Sequence, residues 1–160
     1  MHFILDAEVG RGRQSLLSAH KKVREAHAAN DPDVKAALDR DPDATIDIRV
    51  SFDGSWHKRG RTSKYGIGAA IDCLTGQVVD YEVLSTYCHL CVNKDNKWHT
   101  NQITQEEYNK WKMEHKTDCA RNHDGSPQAM ESAAAEKIWN RSVRFNFRYT
   151  HMLTDWDSKS

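Results

Sequence analysis

Hydrophobic and polar residues alternate from Thr45 onward. Ile46, Ile48 and Val50 fall on one parity and Asp47, Arg49 and Ser51 on the other, running into Phe52-Asp53-Gly54. A period of two predicts a half-buried strand. Tyr65 to Ile71 is apolar and built mostly of small residues, which predicts a second, buried strand. Leu74-Thr75-Gly76 turns the chain into a third, Gln77 to Leu84, with Val78, Val79, Tyr81, Val83 and Leu84 as its apolar positions. Connections this short predict an antiparallel meander. Downstream, Ser126 is placed to cap a helix and Pro127 to fill its first position, with Met130, Ala134 and Ile138 along one face. Arg148 to Asp155 then reads as a fourth strand that ends at an acid.

Two segments stand outside this pattern. Residues 1–45 read as helical and loosely packed, with a thin stripe of Leu16, Leu17, Val23 and Ala26 among basic residues. Asn30-Asp31-Pro32 breaks and restarts the helix, Asp31 as its cap, and Val34, Ala37 and Leu38 make a second short stripe. Residues 88–125 show no period, yet hold three of the four cysteines. Such a segment does not build a core by itself and invites a metal. The expected organisation is a helical arm over 1–45 and an α/β domain (α+β, with a mixed sheet) over 46–160, interrupted by an insertion over 86–125.

Composition narrows the class. A chain of 160 residues is one domain, or a domain with an appendage. Its mean hydropathy is −0.81, and no apolar run approaches the roughly 20 residues that cross a bilayer. The start, MHFILDAEVG, is too short and too soon acidic for a secretory signal, so the expectation is an intracellular chain with no membrane partner. Lys+Arg and Asp+Glu both number 23, so global charge selects no partner. Local charge does more. Gly54 to Ile71 holds Lys58, Arg59, Arg61 and Lys64 and no acid, and Lys137 to Thr154 holds Lys137, Arg141, Arg144 and Arg148 and no acid. Each stretch adjoins an Asp, a pattern that suits either nucleic acid or two solvated faces.

Two constellations could carry chemistry. If the first and fourth strands lie side by side, Asp53 and Asp155 meet at their ends. Paired carboxylates there suit Mg²⁺ or Mn²⁺, and two such ions about 3.5–4 Å apart would serve in-line phosphoryl displacement. The plain alternative is a turn acid and a loop acid. The second constellation is Cys88-x-x-Cys91 with His115-x-x-x-Cys119. The first pair makes half a tetrahedral site, and His and Cys four apart share a helical face that supplies the rest, a closed structural zinc site. His89, His99 and His123 compete for the histidine place, and a redox Cys pair is the rival use. Cys73 reads as a small hydrophobe. Glu131, in the first turn of the predicted helix, is either a further carboxylate for the site or a dipole partner. Trp56 and Trp156 flank the paired acids, as base-stacking groups or as core.

These residues resemble the Mutator-like transposase domain of animal mobile elements. The resemblance runs through Asp53-Gly-Ser-Trp-His-Lys-Arg-Gly60, Thr75-Gly-Gln-Val-Val-Asp80, the Cys/His set, Asn122-His-Asp-Gly-Ser126, Ala129-Met-Glu131, Arg141-Ser-Val, Arg148-Tyr-Thr150 and Thr154-Asp-x-Asp-Ser-Lys159. It spans about residues 46–160. It implies a ribonuclease H-like core, here its N-terminal part, with a DDE-type site. Such a site uses Mg²⁺ to hydrolyse a DNA phosphodiester and to direct the freed 3′-hydroxyl at target DNA. On that basis Asp53 is the first acid and Asp155 the second, with Asp157 as its alternative. Cys88, Cys91, His115 and Cys119 match the family's zinc-like cluster, and Lys58, Arg59 and Arg61 would steer phosphates. Trp156 stands where the family usually has Gly between the two late acids. The third acid is expected beyond Ser160, so the chain reads as a truncated transposase with an incomplete catalyst. A nuclear location follows from the resemblance, with transposon ends and target DNA as partners. The rival is a non-enzymatic, zinc-stabilised remnant that binds DNA or protein. An unfinished sheet would leave an edge strand, and through it a homo-oligomer.

Overall fold

The computed structural model describes residues 2–56 and 63–154, with the side chains of 2–11, 56, 127–128 and 154 outside the description. Five helices and four strands follow in the order α1 (His2–Asn30), α2 (Pro32–Arg40), β1 (Ile46–Trp56), β2 (Tyr65–Asp72), β3 (Val78–Ser85), α3 (His89–His99), α4 (Gln105–His115), α5 (Pro127–Arg141) and β4 (Phe147–Thr154), with a 3₁₀ turn at Ser142–Phe145. The strands form one sheet in the order β3-β2-β1-β4. Connections over 57–64 and 73–77 are too short for a parallel crossover, so β1, β2 and β3 run antiparallel. β4 returns after α5 and pairs parallel to β1, which makes the sheet mixed. Among the described residues no helix is long and apolar enough to cross a membrane.

The chain divides into two compact units. One draws on residues 1–54, 68–82 and 133–160, the other on 55–67 and 83–132.

In the first unit the alternation of β1 is realised as expected: Ile46, Ile48, Val50 and Phe52 are buried, while Asp47, Arg49 and Asp53 are exposed. Burying the four side chains of one parity contributes roughly 1.5–3 kcal/mol each. Ala134 and Ile138 of α5 and Phe147 and Tyr149 of β4 are buried in the same unit. Gly68 on β2 allows this packing, because a Cβ there would stand 2.6 Å from the Phe52 ring and 2.8 Å from Ala134 Cβ. Gly68→Ala is therefore expected to cost about 1–3 kcal/mol through overpacking, read as a lower urea midpoint at unchanged slope; an unchanged midpoint would contradict this packing. The turn at Leu74-Thr75-Gly76 is also present. Gly76 takes φ 68°, and buried Asp72 closes the turn by accepting from Thr75 N at 2.8 Å and Thr75 Oγ1 at 2.7 Å.

Helix covers His2–Asn30 and Pro32–Arg40, and α1 is tied down by polar groups rather than by its thin apolar stripe. Val23 is buried while Leu17 is exposed. His20, Arg24 and His27, spaced to share one face of α1, do the anchoring. His20 Nε2 donates to the Val79 carbonyl at 2.6 Å, and His27 Nε2 lies 3.0 Å from Asp72 Oδ1. Arg24 spans the carbonyls of Pro42, Ala44 and Asn146. Asp31 caps α2 as its sequence position suggests.

The β1–β4 register carries an irregularity that alternation alone does not reveal. Ile48 pairs with Tyr149 but Arg49 pairs with His151, so Thr150 is the extra residue of a bulge. Its hydroxyl donates to the Ile48 carbonyl at 3.3 Å. Burial parity switches there: Phe147 and Tyr149 are buried before the bulge, whereas after it His151 and Leu153 are exposed and Met152 is half-buried. The register ends at Phe52 opposite Thr154.

The second basic stretch is corrected by its contacts. Arg141 grips buried Asp80 with Nε at 2.8 Å and Nη2 at 2.9 Å and reaches Glu82 with Nη1. Lys137 reaches the same Glu82 at 3.1 Å, and Arg148 pairs with Asp47 across the β1–β4 register. Three of its four cations are thus matched by carboxylates far away in sequence, which no local charge pattern shows. Cys73, expected to pack as a small hydrophobe, is exposed in the turn after β2.

Candidate metal centre

The second unit differs from the expectation of an aperiodic insertion, because residues 88–125 form two regular eleven-residue helices, α3 and α4. Neither helix has a buried residue, and this is why no hydrophobic period was there to read. Other forces hold them. A capping box starts α4, with Thr104 Oγ1 accepting from Glu107 N and Glu107 Oε2 accepting from Thr104 N. Tyr108 Oη donates to Asp95 Oδ1 at 2.7 Å and so ties α4 to α3, a bond that with burial pushes the phenol up to about 12. The Trp98 and Tyr108 rings stack at 5.0 Å between the two helices.

At the ends of these helices four side chains converge. Cys88 is the N-cap of α3 and Cys91 lies in its first turn, while His115 is the last residue of α4 and Cys119 follows one turn on. Their ligand atoms all lie within 4.8 Å of one another. Cys88 Sγ is 3.3 Å from His115 Nε2, and Cys91 Sγ is 3.5 Å from Cys119 Sγ. A tetrahedral ion with bonds of about 2.3 Å to sulfur and 2.0–2.1 Å to nitrogen sets its ligands roughly 3.5–3.8 Å apart. The cluster fits zinc after a contraction of about 1 Å at its widest edge.

The electrostatics of the cluster point the same way. Burial pushes the Cys88 thiol up, but the Cys91 N–H, the His115 ring, the Ala120 N–H and the Cys91 thiol outweigh it and bring it down to about 6. Burial and the adjacent Cys119 and Cys88 sulfurs push Cys91 up to about 12. Cys88 is thus the readier thiolate and Cys91 the reluctant one, and a divalent cation that took both would release the Cys91 proton.

Two of the three competing histidines, His89 and His99, are engaged elsewhere. His89 sits between Tyr87 Oη at 3.4 Å and Asn93 Nδ2 at 2.9 Å, and His99 packs on Trp98. His123 Nε2 is buried without a hydrogen-bond partner among the described residues, and a Cβ on Gly125 would meet it at 2.6 Å. The sequence motif around His123 also hides a clamp that carries no local signal. Asn122 Oδ1 accepts from Ser85 N and its Nδ2 donates to the Val83 carbonyl, which extends the end of β3.

The acidic pair is described only in part. Asp53 is an exposed residue of β1, one step beyond the paired Phe52. Asp155, Asp157 and Trp156, with Lys58, Arg59 and Arg61, lie outside the described residues, as does the Trp56 side chain. Glu131 is exposed on α5.

Fold and site together define an α/β domain with a mixed four-stranded sheet and a Cys₃His cluster able to hold zinc. The model of the Mutator-like transposase family matches residues 11–160, and the chain belongs to that family. No curated protein and no solved structure matches it.

Proposed function

We propose that this chain carries two acids of a DDE-type, ribonuclease H-like transposase site, Asp53 and Asp155, and a structural zinc unit. Family membership supports a transposase-related function. The observation that carries the finer reading is the bulged β1–β4 register. The described register runs to Phe52 opposite Thr154, each one residue before one of the two acids in the sequence. The Thr150 bulge reverses the burial parity of β4, so that His151 and Leu153, the odd positions that precede Asp155 in the sequence, are exposed.

Asp53 is exposed, and among the described residues no hydrogen bond occupies its carboxylate, so its oxygens are free for a hard cation. Asp53 and Asp155, with Asp157 as the alternative second acid, would hold Mg²⁺ or Mn²⁺. The bound ions would supply charge stabilisation for attacking and leaving oxygens on a DNA phosphodiester. Lys58, Arg59 and Arg61, five to eight positions after Asp53 in the sequence between β1 and β2, would orient the strand through its phosphates. Transposon ends and target DNA are the substrates, and the nucleus is the place of action. The expected result for Asp53→Asn is a loss of Mn²⁺ affinity of at least about tenfold, roughly 1.4 kcal/mol, with zinc content unchanged. Equal Mn²⁺ affinity by calorimetry would contradict the site.

A second reading is favoured by the metal centre. A closed four-ligand zinc site is structural, so the α3–α4 unit would serve equally in a non-catalytic module that binds DNA or protein. Metal-dependent nicking of DNA lost in Asp53→Asn supports the first reading; DNA binding without nicking supports the second.

A further inference from the structure

His115 offers one nitrogen to the ligand cluster, Nε2, at 3.3 Å from Cys88 Sγ. A metal-bound histidine almost always donates its other ring N–H to a carboxylate, a carbonyl or water, which fixes the ring plane and the tautomer. Among the described residues no hydrogen bond reaches His115 Nδ1. What lies against the ring is Trp111, one helical turn earlier on α4. The indole and the imidazole stack with centroids 4.6 Å apart and planes 15° apart, the geometry that an i, i+4 spacing permits.

The indole is itself braced. Its ring neighbours Tyr108 at 6.4 Å, and Tyr108 stacks on Trp98 of α3 at 5.0 Å with 18° between planes. The Lys94 ammonium sits over the indole at 5.6 Å. Tyr108 is held by its bond to Asp95. A row of rings therefore runs from α3 to the ligand in two helices that bury no residue of their own.

We infer that Trp111 is the positioning residue of His115, holding the imidazole in ligating orientation by face contact where other sites use a hydrogen bond. This rests on reading Cys88, Cys91, His115 and Cys119 as metal ligands. The contact is also selective for the loaded state. A cation on Nε2 draws electron density from the imidazole, and an electron-poor ring is attracted to the electron-rich indole face. Metal binding and stacking reinforce each other.

The test uses the full chain, titrated with Zn²⁺ against a chelator and with Co²⁺ followed by its visible d–d bands. Trp111→Leu is expected to weaken Zn²⁺ binding about 10-fold or more and to shift the Co²⁺ bands, while Trp111→Phe restores both. Trp98→Leu, which removes a ring three steps from the ligand, is expected to lower thermal stability and leave the Co²⁺ bands in place. Wild-type Zn²⁺ affinity and an unmoved Co²⁺ spectrum in Trp111→Leu overturn the inference, as do equal affinity losses in the Trp98 and Trp111 variants. If Trp111→Leu does not fold, the wild-type protein decides: ring-current upfield shifts on the His115 ring protons in the zinc-loaded chain support the stack, and free-histidine shifts overturn it. A wild-type chain that takes up neither Zn²⁺ nor Co²⁺ overturns the metal centre itself, an outcome distinct from bound metal with an indifferent Trp111.

Discussion

Cys88→Ser is expected to empty the metal centre and melt both helices of the second unit. Circular dichroism should lose the signal of two eleven-residue helices, and metal analysis should fall from one zinc per chain to none. The size of the effect follows from what the helices lack. Neither buries a residue, and isolated helices shorter than about 12–15 residues are marginal in water. One capping box contributes about 1 kcal/mol, and the ring contacts add roughly 0.5–1.5 kcal/mol each. Zinc bound by a four-ligand set contributes about 10–16 kcal/mol, which dominates the unit. Cys88 is the informative member of the cluster because it stands at the N-cap position of α3, lies buried, and sits 3.3 Å from the histidine. Retained helix signal and retained zinc in the variant would contradict this account.

Arg141→Met is expected to cost about 3–5 kcal/mol, the effect of stranding a buried carboxylate. Asp80 is 2% exposed and takes two bonds from the guanidinium. The same cluster predicts an acid limb in stability. Burial raises the Glu82 pKa, but the bonds from Arg141 and Lys137 outweigh it, and the carboxyl is held below its ordinary value. A depressed folded-state pKa contributes stability that is fully present above the unfolded value, about 4.3 for Glu, and lost as pH falls through the folded one. Urea midpoints of the wild type should therefore drop below about pH 4, and Glu82→Gln should flatten part of that drop. A pH-independent difference between the two proteins would contradict the assignment.

How far the sequence disclosed this molecule depended on whether each element leaves a local trace. β1, β2, β3 and α5 were legible because one face of each is buried, which writes a period of two or a 3.6-residue stripe into the residues. α3 and α4 were not, since helices without a buried face write no stripe. The Cys88, Cys91, His115 and Cys119 cluster at their ends was still legible, because the spacing of such a set follows coordination geometry rather than burial. Trp111 carried a usable signal, an aromatic residue four before a ligand histidine, that only the stack makes meaningful. Lys137, Arg141 and Arg148 misled because their partners Glu82, Asp80 and Asp47 are 55 to 101 positions away. The Thr150 bulge was invisible for a related reason: register belongs to a pair of strands, and no single strand encodes it.

The central claim is that the ends of β1 and β4 bring two acids to one cation. Titration of the zinc-loaded full chain with Mn²⁺, followed by paramagnetic broadening of backbone amide signals, tests it most directly. The account predicts that the amides of Asp53 and Asp155 broaden together at the first additions, with the signals of Cys88 to Cys119 unaffected. Broadening at neither acid, or at only one, would contradict it.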